Sequence, residues 1–289
     1  MYKIVTHPGS AHKDDFMAVS VLLAILGEAT VHRREATAAD LADMNTFVVD
    51  VGMEHDPYRH NFDHHQDRRL PCAFHLVMKH LGHHEEAMQV FGWYAHMSMM
   101  DVRGPYRTAE HLGIDIGVLF AASSPIDGYI LSRFSQVETM TAGDPIYALM
   151  KSFGEDMLAM MRQKIERLER LQEEAQVVEV GPLKALVTTI EDNPKLSMEL
   201  YLQQLGDADI VMGIMPSNRG AGWELLRLGN NTIVDFRQVA QHPEVRFVHV
   251  NGFIAKTTSL MPLEEVLPIA AAAIRESQDQ PVKVGNISP

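Results

Sequence analysis

Cysteine and basic side chains are both scarce in this chain of 289 residues. The one cysteine, Cys72, excludes an intramolecular disulfide and favours a reducing compartment. Lys and Arg total 25 against 38 Asp and Glu, so the formal net charge is −13. Proteins dedicated to duplex DNA usually carry a basic surface. Duplex DNA is therefore not expected as a partner, whereas a short anionic substrate bound through metal ions is compatible with this charge.

Long apolar runs are also missing. The longest, residues 16–27, is too short to span a bilayer, and Lys3 interrupts any secretory signal at the start. We therefore expect a cytoplasmic protein with no membrane partner. The sequence has no Cys-x-x-Cys pair, no Gly-rich phosphate loop and no nucleophile elbow, so the enzyme classes that depend on those motifs are not indicated.

The spacing of apolar residues predicts an α/β protein of two domains. Strand, helix, strand, helix and strand alternate over residues 2–51, which is typical of a doubly wound, mainly parallel sheet. Asp144-Pro145 is a suitable helix start, and a 3-4 apolar spacing continues from there to about Gln176. We therefore predict one domain at 1–140, a connecting helix at 141–177 and a smaller α/β domain at 178–289.

Shorter patterns predict the remaining elements. Residues 85–100 are expected to form one helix that ends at Asp101, with an apolar stripe of core residues that includes Met88, Phe91 and Trp93. In the second domain, 223–228 and 232–236 are expected to pair as strands about a turn at 229–231. The other expected helices and strands are helices 71–82, 114–122, 129–135, 196–205 and 261–274, and strands 177–180, 183–189, 210–215 and 245–250.

Histidine is abundant, with fifteen residues, and most of them precede residue 85. Histidine and aspartate cluster in four segments, three of which begin where a predicted strand ends; the candidates are His7, His12, Asp14, Asp15, Asp50, Asp63, His64, His65 and Asp101. Imidazole and carboxylate ligands suit Mn²⁺, Fe²⁺, Co²⁺ or Zn²⁺. Two ions about 3.5–4 Å apart need a bridging carboxylate and further ligands on each side. Structural roles stay open, since Asp14 and Asp15 could stabilise a helix start and Asp101 a turn.

The sequence resembles the DHH phosphoesterase superfamily, and within it the Myg-type branch, which is related to a protein described as an exoribonuclease. The motifs that carry this resemblance occur in the family's order along most of the chain: Thr6-His7, His12-Lys13-Asp14-Asp15, Asp50-Val51-Gly52, Asp56-Pro57, Asn61-Phe62-Asp63-His64-His65-Gln66, residues 76–82, Leu131-Ser132-Arg133 and residues 247–254. Two positions depart from the family. Asp101 is followed by Val-Arg-Gly rather than Asn-Gly, and Ala255-Lys256 stands where a further glycine is common.

The resemblance implies that 1–140 is a metal-binding catalytic domain and 178–289 a substrate-binding domain, and it implies roles for individual residues. His7, His12 and Asp50 would hold one ion, whereas Asp14, Asp50, His64 and Asp101 would hold the other. The catalytic group would comprise His65, Asp63 and Asp15, with His65 at the substrate phosphate and Asp63 orienting the histidine pair. Further substrate contacts are expected from Arg133, His249, Gly252 and Lys256.

The implied function is hydrolysis of phosphodiester bonds in short RNA or small nucleotides, in the manner of a 3′–5′ exonuclease. Two Mn²⁺ ions are the expected cofactors, with Mg²⁺, Co²⁺ or Zn²⁺ as alternatives. Two other functions stay open: phosphoanhydride hydrolysis, and non-catalytic metal binding by a regulatory protein of the same fold. The Met-rich helices are compatible with a homodimer.

Overall fold

The computed structural model describes residues 1–191, 194–229 and 231–275. The chain divides into two compact units, Met1–Gln163 and Lys164–Pro289, and each unit contains a six-stranded sheet. This confirms the expected two-domain α/β class. The predicted domain limits and domain roles stay predictions, although the boundary between the units falls inside the predicted connecting segment.

The sheet of the first unit is doubly wound, as the alternating pattern predicted. Its strand order is β4-β5-β3-β1-β2-β6, and the elements up to β6 are β1 (Tyr2–Thr6), α1 (Lys13–Leu26), β2 (Ala29–Arg33), α2 (Ala38–Ala42), β3 (Thr46–Val49), β4 (His55–Asp56), β5 (Asn61–Phe62) and β6 (Thr139–Met140). Strands β2, β1, β3 and β5 are parallel, whereas β4 and β6 pair antiparallel at the two edges. The chain runs from β1 to β2 on one side and then crosses to β3 on the other. The carboxyl ends of β1 and β3 therefore flank a topological switch point, where ligands bind in sheets of this kind.

Helix α1 is apolar on nearly every side because it is enclosed by other elements. All ten of its residues from Asp14 to Leu23 are buried. The central strands are equally enclosed, since Ile4, Val5 and Val48 are fully buried. A parallel sheet covered on both faces requires such continuous apolar strands.

The first unit contains six further α-helices, and two of them correct predictions. They are α3 (Ala73–His80), α4 (His84–Val90), α5 (Tyr94–Leu112), α6 (Ile116–Ala121), α7 (Pro125–Ser135) and α8 (Pro145–Glu174), which continues past the boundary between the units. The single helix predicted at 85–100 is wrong, because extended backbone at Phe91 separates α4 from α5. The prediction that Asp101 ends a helix is also wrong: α5 continues past Asp101 and kinks at Gly104 (φ 77°), directly before Pro105. Of the predicted core stripe, Phe91 is buried, but Met88 and Trp93 are exposed.

The second unit has a mainly antiparallel sheet with apolar clusters on both faces. Its order is β11-β12-β10-β9-β8-β7, and its elements are β7 (Gln176–Val180), β8 (Leu183–Val187), α9 (Lys195–Leu205), β9 (Ile210–Pro216), β10 (Trp223–Arg227), β11 (Val245–Val248), β12 (Ile254–Thr257) and α10 (Leu263–Ala271). Only β8 and β9 among these neighbours are parallel. Helix α10 packs in one cluster through Val266 and Ile269, and α9 packs in the other through Met198.

The predicted strand at 232–236 is wrong. Strand β10 pairs with β9 and β12 instead, and Val234 makes only an isolated bridge with Ile274. The Asp235 carboxylate accepts a hydrogen bond from the Arg237 amide and begins a short 3-10 helix, Phe236–Val239. This local capping competes with strand pairing. The turn predicted at 229–231 includes residue 230, which lies outside the described residues.

Across the described ranges, the helices include none that combines the length and apolar character required to cross a membrane.

Candidate metal centre

The predicted metal ligands come together at the carboxyl edge of the first sheet. His7 follows β1, Asp50 follows β3 and Asp63 follows β5, so parallel pairing places these three residues at one rim. His12 and Asp14 stand at the start of α1, and Asp101 reaches the same place from α5. The positions of these residues after predicted strands therefore indicated the rim from the sequence. Asp101, however, lies inside a helix and not in a turn.

Asp50 lies between two histidines. Its Oδ1 is 3.1 Å from Nε2 of His64, and its Oδ2 is 3.4 Å from Nε2 of His7. Its backbone is in the left-handed region, with φ 58°, which aspartate tolerates better than most residues. Because each carboxylate oxygen faces a different imidazole, Asp50 has the arrangement that a bridging ligand requires.

Three groups of donor atoms could each hold an ion. The first, His7, His12 and Asp50, is the set expected for one ion. The other donors group differently from expectation: Asp50 stands with His64 and His65, and His12 stands with Asp14 and Asp101. In each group the ligand atoms lie within 4.8 Å of one another. All six predicted ligands are thus assembled, and His65 joins them, whereas the division of donors between two ions stays a prediction.

Asp14 shows that the cluster fits a cation. Its side chain is buried, and neither carboxylate oxygen has a hydrogen-bond partner among the described residues. Burial raises its pKa well above the usual range, and the nearby carboxylates of Asp50, Asp101 and Asp15 add to the effect. A buried carboxylate without a partner is costly unless a cation compensates it. A divalent ion held by oxygen and nitrogen ligands meets this requirement.

The two histidines nearest Asp50 are held in their protonated forms by the same carboxylates. Burial lowers the pKa of His7, but Asp15 and Asp50 outweigh it and raise the pKa to about 9. Burial likewise lowers the pKa of His64, yet Asp101 and Asp50 raise it to about 10. An imidazole must lose its proton to bind a metal ion. Protons and metal ions therefore compete for this cluster.

Asp15 orients other groups rather than joining a donor set. Its Oδ1 accepts hydrogen bonds from the amides of His12 and Phe16, both at 2.8 Å, so it stabilises the start of α1. Its Oδ2 lies 3.3 Å from Nε2 of His7. One side chain therefore both stabilises the helix start and contacts His7, a predicted metal ligand, and the catalytic role of Asp15 stays a prediction.

Asp63 fixes the histidine pair through three hydrogen bonds to one oxygen. Its Oδ1 accepts from the amides of His64 (2.7 Å) and His65 (3.1 Å) and contacts Nδ1 of His65 at 2.7 Å. Burial opposes ionisation of Asp63, but these bonds and that from the Met53 amide lower its pKa overall. The His65 side chain is 53 % exposed against 8 % for His64. The adjacent histidines therefore face different surroundings, with His65 open to solvent.

The other predicted substrate residues contact side chains within their own units. Arg133 on α7 lies over the Tyr129 ring, with its Cζ 5.2 Å from the ring centroid. In the second unit, the His249 ring packs 4.1 Å from that of Phe253. Lys256 is buried and its Nζ lies 2.8 Å from Glu224. Their contact with a substrate stays a prediction.

Gly252 has a structural reason for lacking a side chain. Its φ is 69°, and a Cβ atom there would lie 2.1 Å from Oδ1 of Asp235. The glycine therefore allows the 3-10 turn at Asp235 to pack against this loop. A role for its backbone at a substrate stays a prediction.

Sequence reasoning missed Arg33, which ends β2 at the same edge. Its side chain is buried and its Nη2 lies 3.6 Å from Oδ2 of Asp15. The sequence did offer a clue, because Arg33 ends a predicted strand just as His7 follows one. In the sheet these strands, β2 and β1, are neighbours.

Comparison with known proteins identifies the segment that holds most of this cluster. Residues 3–76 match the family model described as "MYG1_exonuc: Uncharacterised protein family (UPF0160)". This segment is similar to that family. The MYG1_exonuc segment contains every predicted metal ligand except Asp101, so the Myg-type resemblance found in the sequence is confirmed over these residues. The cluster itself provides the imidazole and carboxylate donors that divalent ions such as Mn²⁺ and Zn²⁺ prefer.

Three solved structures are similar at low identity. A pGpG-specific phosphodiesterase, PggH, from Vibrio cholerae is 12% identical, with 94% of this chain and 97% of that one covered and a TM-score of 0.28. An exopolyphosphatase-related protein from Bacteroides fragilis is 10% identical, with 93% and 90% covered and a TM-score of 0.26. RecJ from Thermus thermophilus, in complex with Mn²⁺, is 14% identical, with 95% and 53% covered and a TM-score of 0.30. These values do not decide the chemistry of this chain. No curated protein matches it.

Proposed function

We propose that this protein is a phosphohydrolase that uses two divalent ions, Mn²⁺ by preference, to cleave phosphodiester bonds in short RNA or small nucleotides from the 3′ end. The observation that carries the proposal is Asp50, whose two oxygens face His64 and His7 separately. The unpaired, buried carboxylate of Asp14 beside it, without a partner among the described residues, supports the same proposal.

His7, His12 and Asp50 would hold one ion, and Asp14, Asp50, His64 and Asp101 the other. Divalent ions bound there would supply a nucleophile at neutral pH and stabilise charge on a phosphoryl oxygen. Asp15 would keep the His7 ring aimed at the first ion through its 3.3 Å contact with Nε2.

His65 would contact the scissile phosphate and donate a proton to the leaving oxygen. Its Nδ1 is engaged by Asp63 at 2.7 Å, so Nε2 is the ring nitrogen left for a substrate. The neighbouring carboxylate holds the tautomer and the ring orientation, as carboxylates commonly do for functional imidazoles. Its exposure makes this ring accessible to a ligand that His64 could not reach.

Arg133 is a proposed phosphate contact in the first unit, and His249, Lys256 and the backbone of Gly252 are proposed substrate contacts in the second. Support comes from the charge balance around Lys256. Both Lys256 and Lys195 form ion pairs with the single buried carboxylate of Glu224, which leaves this group with a net positive charge. Such a charge suits an anionic substrate on a protein that is acidic overall.

Metal stoichiometry and a substrate screen test the proposal together. Protein reconstituted with Mn²⁺ is expected to bind two ions per chain and to hydrolyse short RNA or dinucleotides, with nucleotide 3′-phosphates and pyrophosphate included for comparison. Asp50→Asn is expected to lose most of both ions and all turnover, because the amide cannot bridge them. Asparagine also tolerates positive φ, so the backbone at residue 50 is retained.

Asp40→Asn is the matched control, since Asp40 is buried too but pairs with Lys3 and Arg34 outside the cluster. It should lose stability and keep both ions. Wild type with one ion or none would refute the proposed metal centre. Two bound ions without hydrolysis of any substrate would favour a metal-binding regulatory protein, and cleavage of pyrophosphate alone would favour a phosphoanhydride hydrolase.

A further inference from the structure

Arg33 is a buried cation that fastens the loop between β1 and α1. Its Nη1 donates to the carbonyl oxygens of Gly9 (3.0 Å) and Phe134 (3.3 Å), and its Nη2 donates to that of Ser10 (3.2 Å). The guanidinium carbon lies 4.6 Å from the centroid of the Phe134 ring. The planar guanidinium thus joins two residues of the loop to helix α7, which a single ammonium group could not do in the same geometry.

The loop that Arg33 holds is the one that carries His7 and His12. Gly9 and Ser10 lie between these two histidines in the sequence, and the histidine rings are 5.2 Å apart. Both histidines belong to the donor group of Asp50. A shift of the loop would therefore change the distance between the two imidazoles that this group requires.

Arg33 also reaches the same donor group through Asp15. Its Nη2 lies 3.6 Å from Asp15 Oδ2, and that oxygen is 3.3 Å from Nε2 of His7. Burial lowers the pKa of Arg33, but an arginine in a protein remains charged. The guanidinium therefore balances the charge of Asp15, whose oxygen in turn orients His7.

We propose that Arg33 is a positioning residue for the metal centre, which sets the loop geometry and the Asp15 contact on which binding by His7 and His12 depends. The inference rests on the proposed function, because it presupposes that His7 and His12 bind an ion. Arg33 itself is not a metal ligand in this proposal, since an arginine has no free donor for a cation.

The neighbouring arginine provides a matched control. Arg34 is bound at its Nη1 and Nη2 by the carboxylate of Asp40, which belongs to none of the three donor groups, and its side chain is 41 % exposed. Arg33→Met and Arg34→Met thus make the same chemical change at adjacent positions. Arg33→Lys keeps the charge but removes the two-pronged contact with Gly9 and Ser10.

Mn²⁺ binding should be titrated by calorimetry on the full-length wild type and each variant, with circular dichroism and thermal unfolding of the metal-free proteins alongside. Arg33→Met is expected to lower the affinity for one of the two Mn²⁺ ions by about 10–100-fold, which is the usual effect of losing a residue that supports a metal ligand. The affinity for the other ion should stay nearly unchanged. The Mn²⁺ affinity of Arg33→Lys should lie between those of the wild type and Arg33→Met. Arg34→Met should bind Mn²⁺ as the wild type does, even if it unfolds at a lower temperature.

A double variant identifies which ion is affected. His7→Ala should already have lost the ion at His7 and His12, so adding Arg33→Met to it should change Mn²⁺ binding no further. A merely structural role would instead give additive losses.

Wild-type affinity for both ions in Arg33→Met, or equal losses in Arg33→Met and Arg34→Met, would overturn the inference. If Arg33→Met fails to fold, wild-type affinity in Arg33→Lys overturns it. A wild type that binds only one ion refutes the two-ion function. The role of Arg33 is then tested by comparing the affinity of the wild type and the variants for that one ion.

Discussion

At the scale of single residues, side chains of the candidate metal centre differ in how deeply they are buried, and we propose different roles for them on that basis. Asp50 is held at positive φ where the chain leaves β3, and such backbone conformations concentrate at functional sites. His64 and His65 are adjacent in sequence, yet one is buried against Asp50 and Asp101 and the other is half exposed. Asp63 holds both through one oxygen. His64 and His65 can therefore be tested separately, His64 for metal binding and His65 for catalysis.

Replacing each histidine by alanine should separate binding from catalysis. His64→Ala is expected to lose an ion and turnover together, because its Nε2 lies within 3.2 Å of two carboxylates. His65→Ala is expected to keep both ions and to lower kcat by about 10²–10⁴, the usual worth of a general acid. His83→Ala, which removes a histidine paired with Glu86 outside the cluster, is the control. Mn²⁺ stoichiometry and kcat decide the matter, and equal ion loss in the two variants would show that His65 is a ligand, as its place in a donor group allows.

At the scale of elements, the first unit depends on a close approach between α1 and α8. A Cβ atom at Gly154 of α8 would lie only 2.1 Å from the backbone oxygen of Ser20 in α1. Phe153 beside it packs against Phe16 of α1 with ring centroids 5.7 Å apart. Glycine is thus required here by backbone contact rather than by an unusual φ. Because α1 also carries Asp14 and Asp15, this contact anchors the helix that supplies part of the metal centre.

Gly154→Ala should destabilise the first unit by about 1–3 kcal/mol or more, since the added methyl group forces two helix backbones apart. Gly128→Ala in α7 is the matched control, because it is a helical glycine with open space around its Cβ position. That substitution should be neutral or stabilise by up to about 1 kcal/mol. Urea unfolding of both variants measures the difference. Equal stability of the two proteins would mean that α1 and α8 do not pack as closely as described.

At the scale of the whole molecule, charge limits the substrate. The formal net charge of −13 opposes a long polyanion, and binding along a nucleic acid backbone requires a row of cations. Arg33 and Arg34 do not supply such a row, because loop carbonyls engage Arg33 and the Asp40 carboxylate engages Arg34. Short substrates avoid most of the repulsion.

RNA of two to five nucleotides should therefore be cleaved faster than a long single strand of the same composition. Rates measured for both substrates over a series of salt concentrations test this, because screening should narrow the difference if charge is its cause. Faster, processive digestion of the long strand would contradict the prediction.

The sequence alone determined the doubly wound order of the first strands, the thirty-residue helix Pro145–Glu174 and the His and Asp residues that gather in the candidate metal centre. These follow from local patterns: apolar periodicity, a Pro at a helix start, and His and Asp residues at strand ends. Tertiary structure decided how α5 continues through Asp101, why 232–236 is not a strand, and that Arg33 lies behind His7. Arg33 and Asp235 both have partners distant in sequence, which are the Gly9 carbonyl for Arg33 and Arg275 for Asp235. A local pattern contains no information about which distant group will satisfy a buried charge.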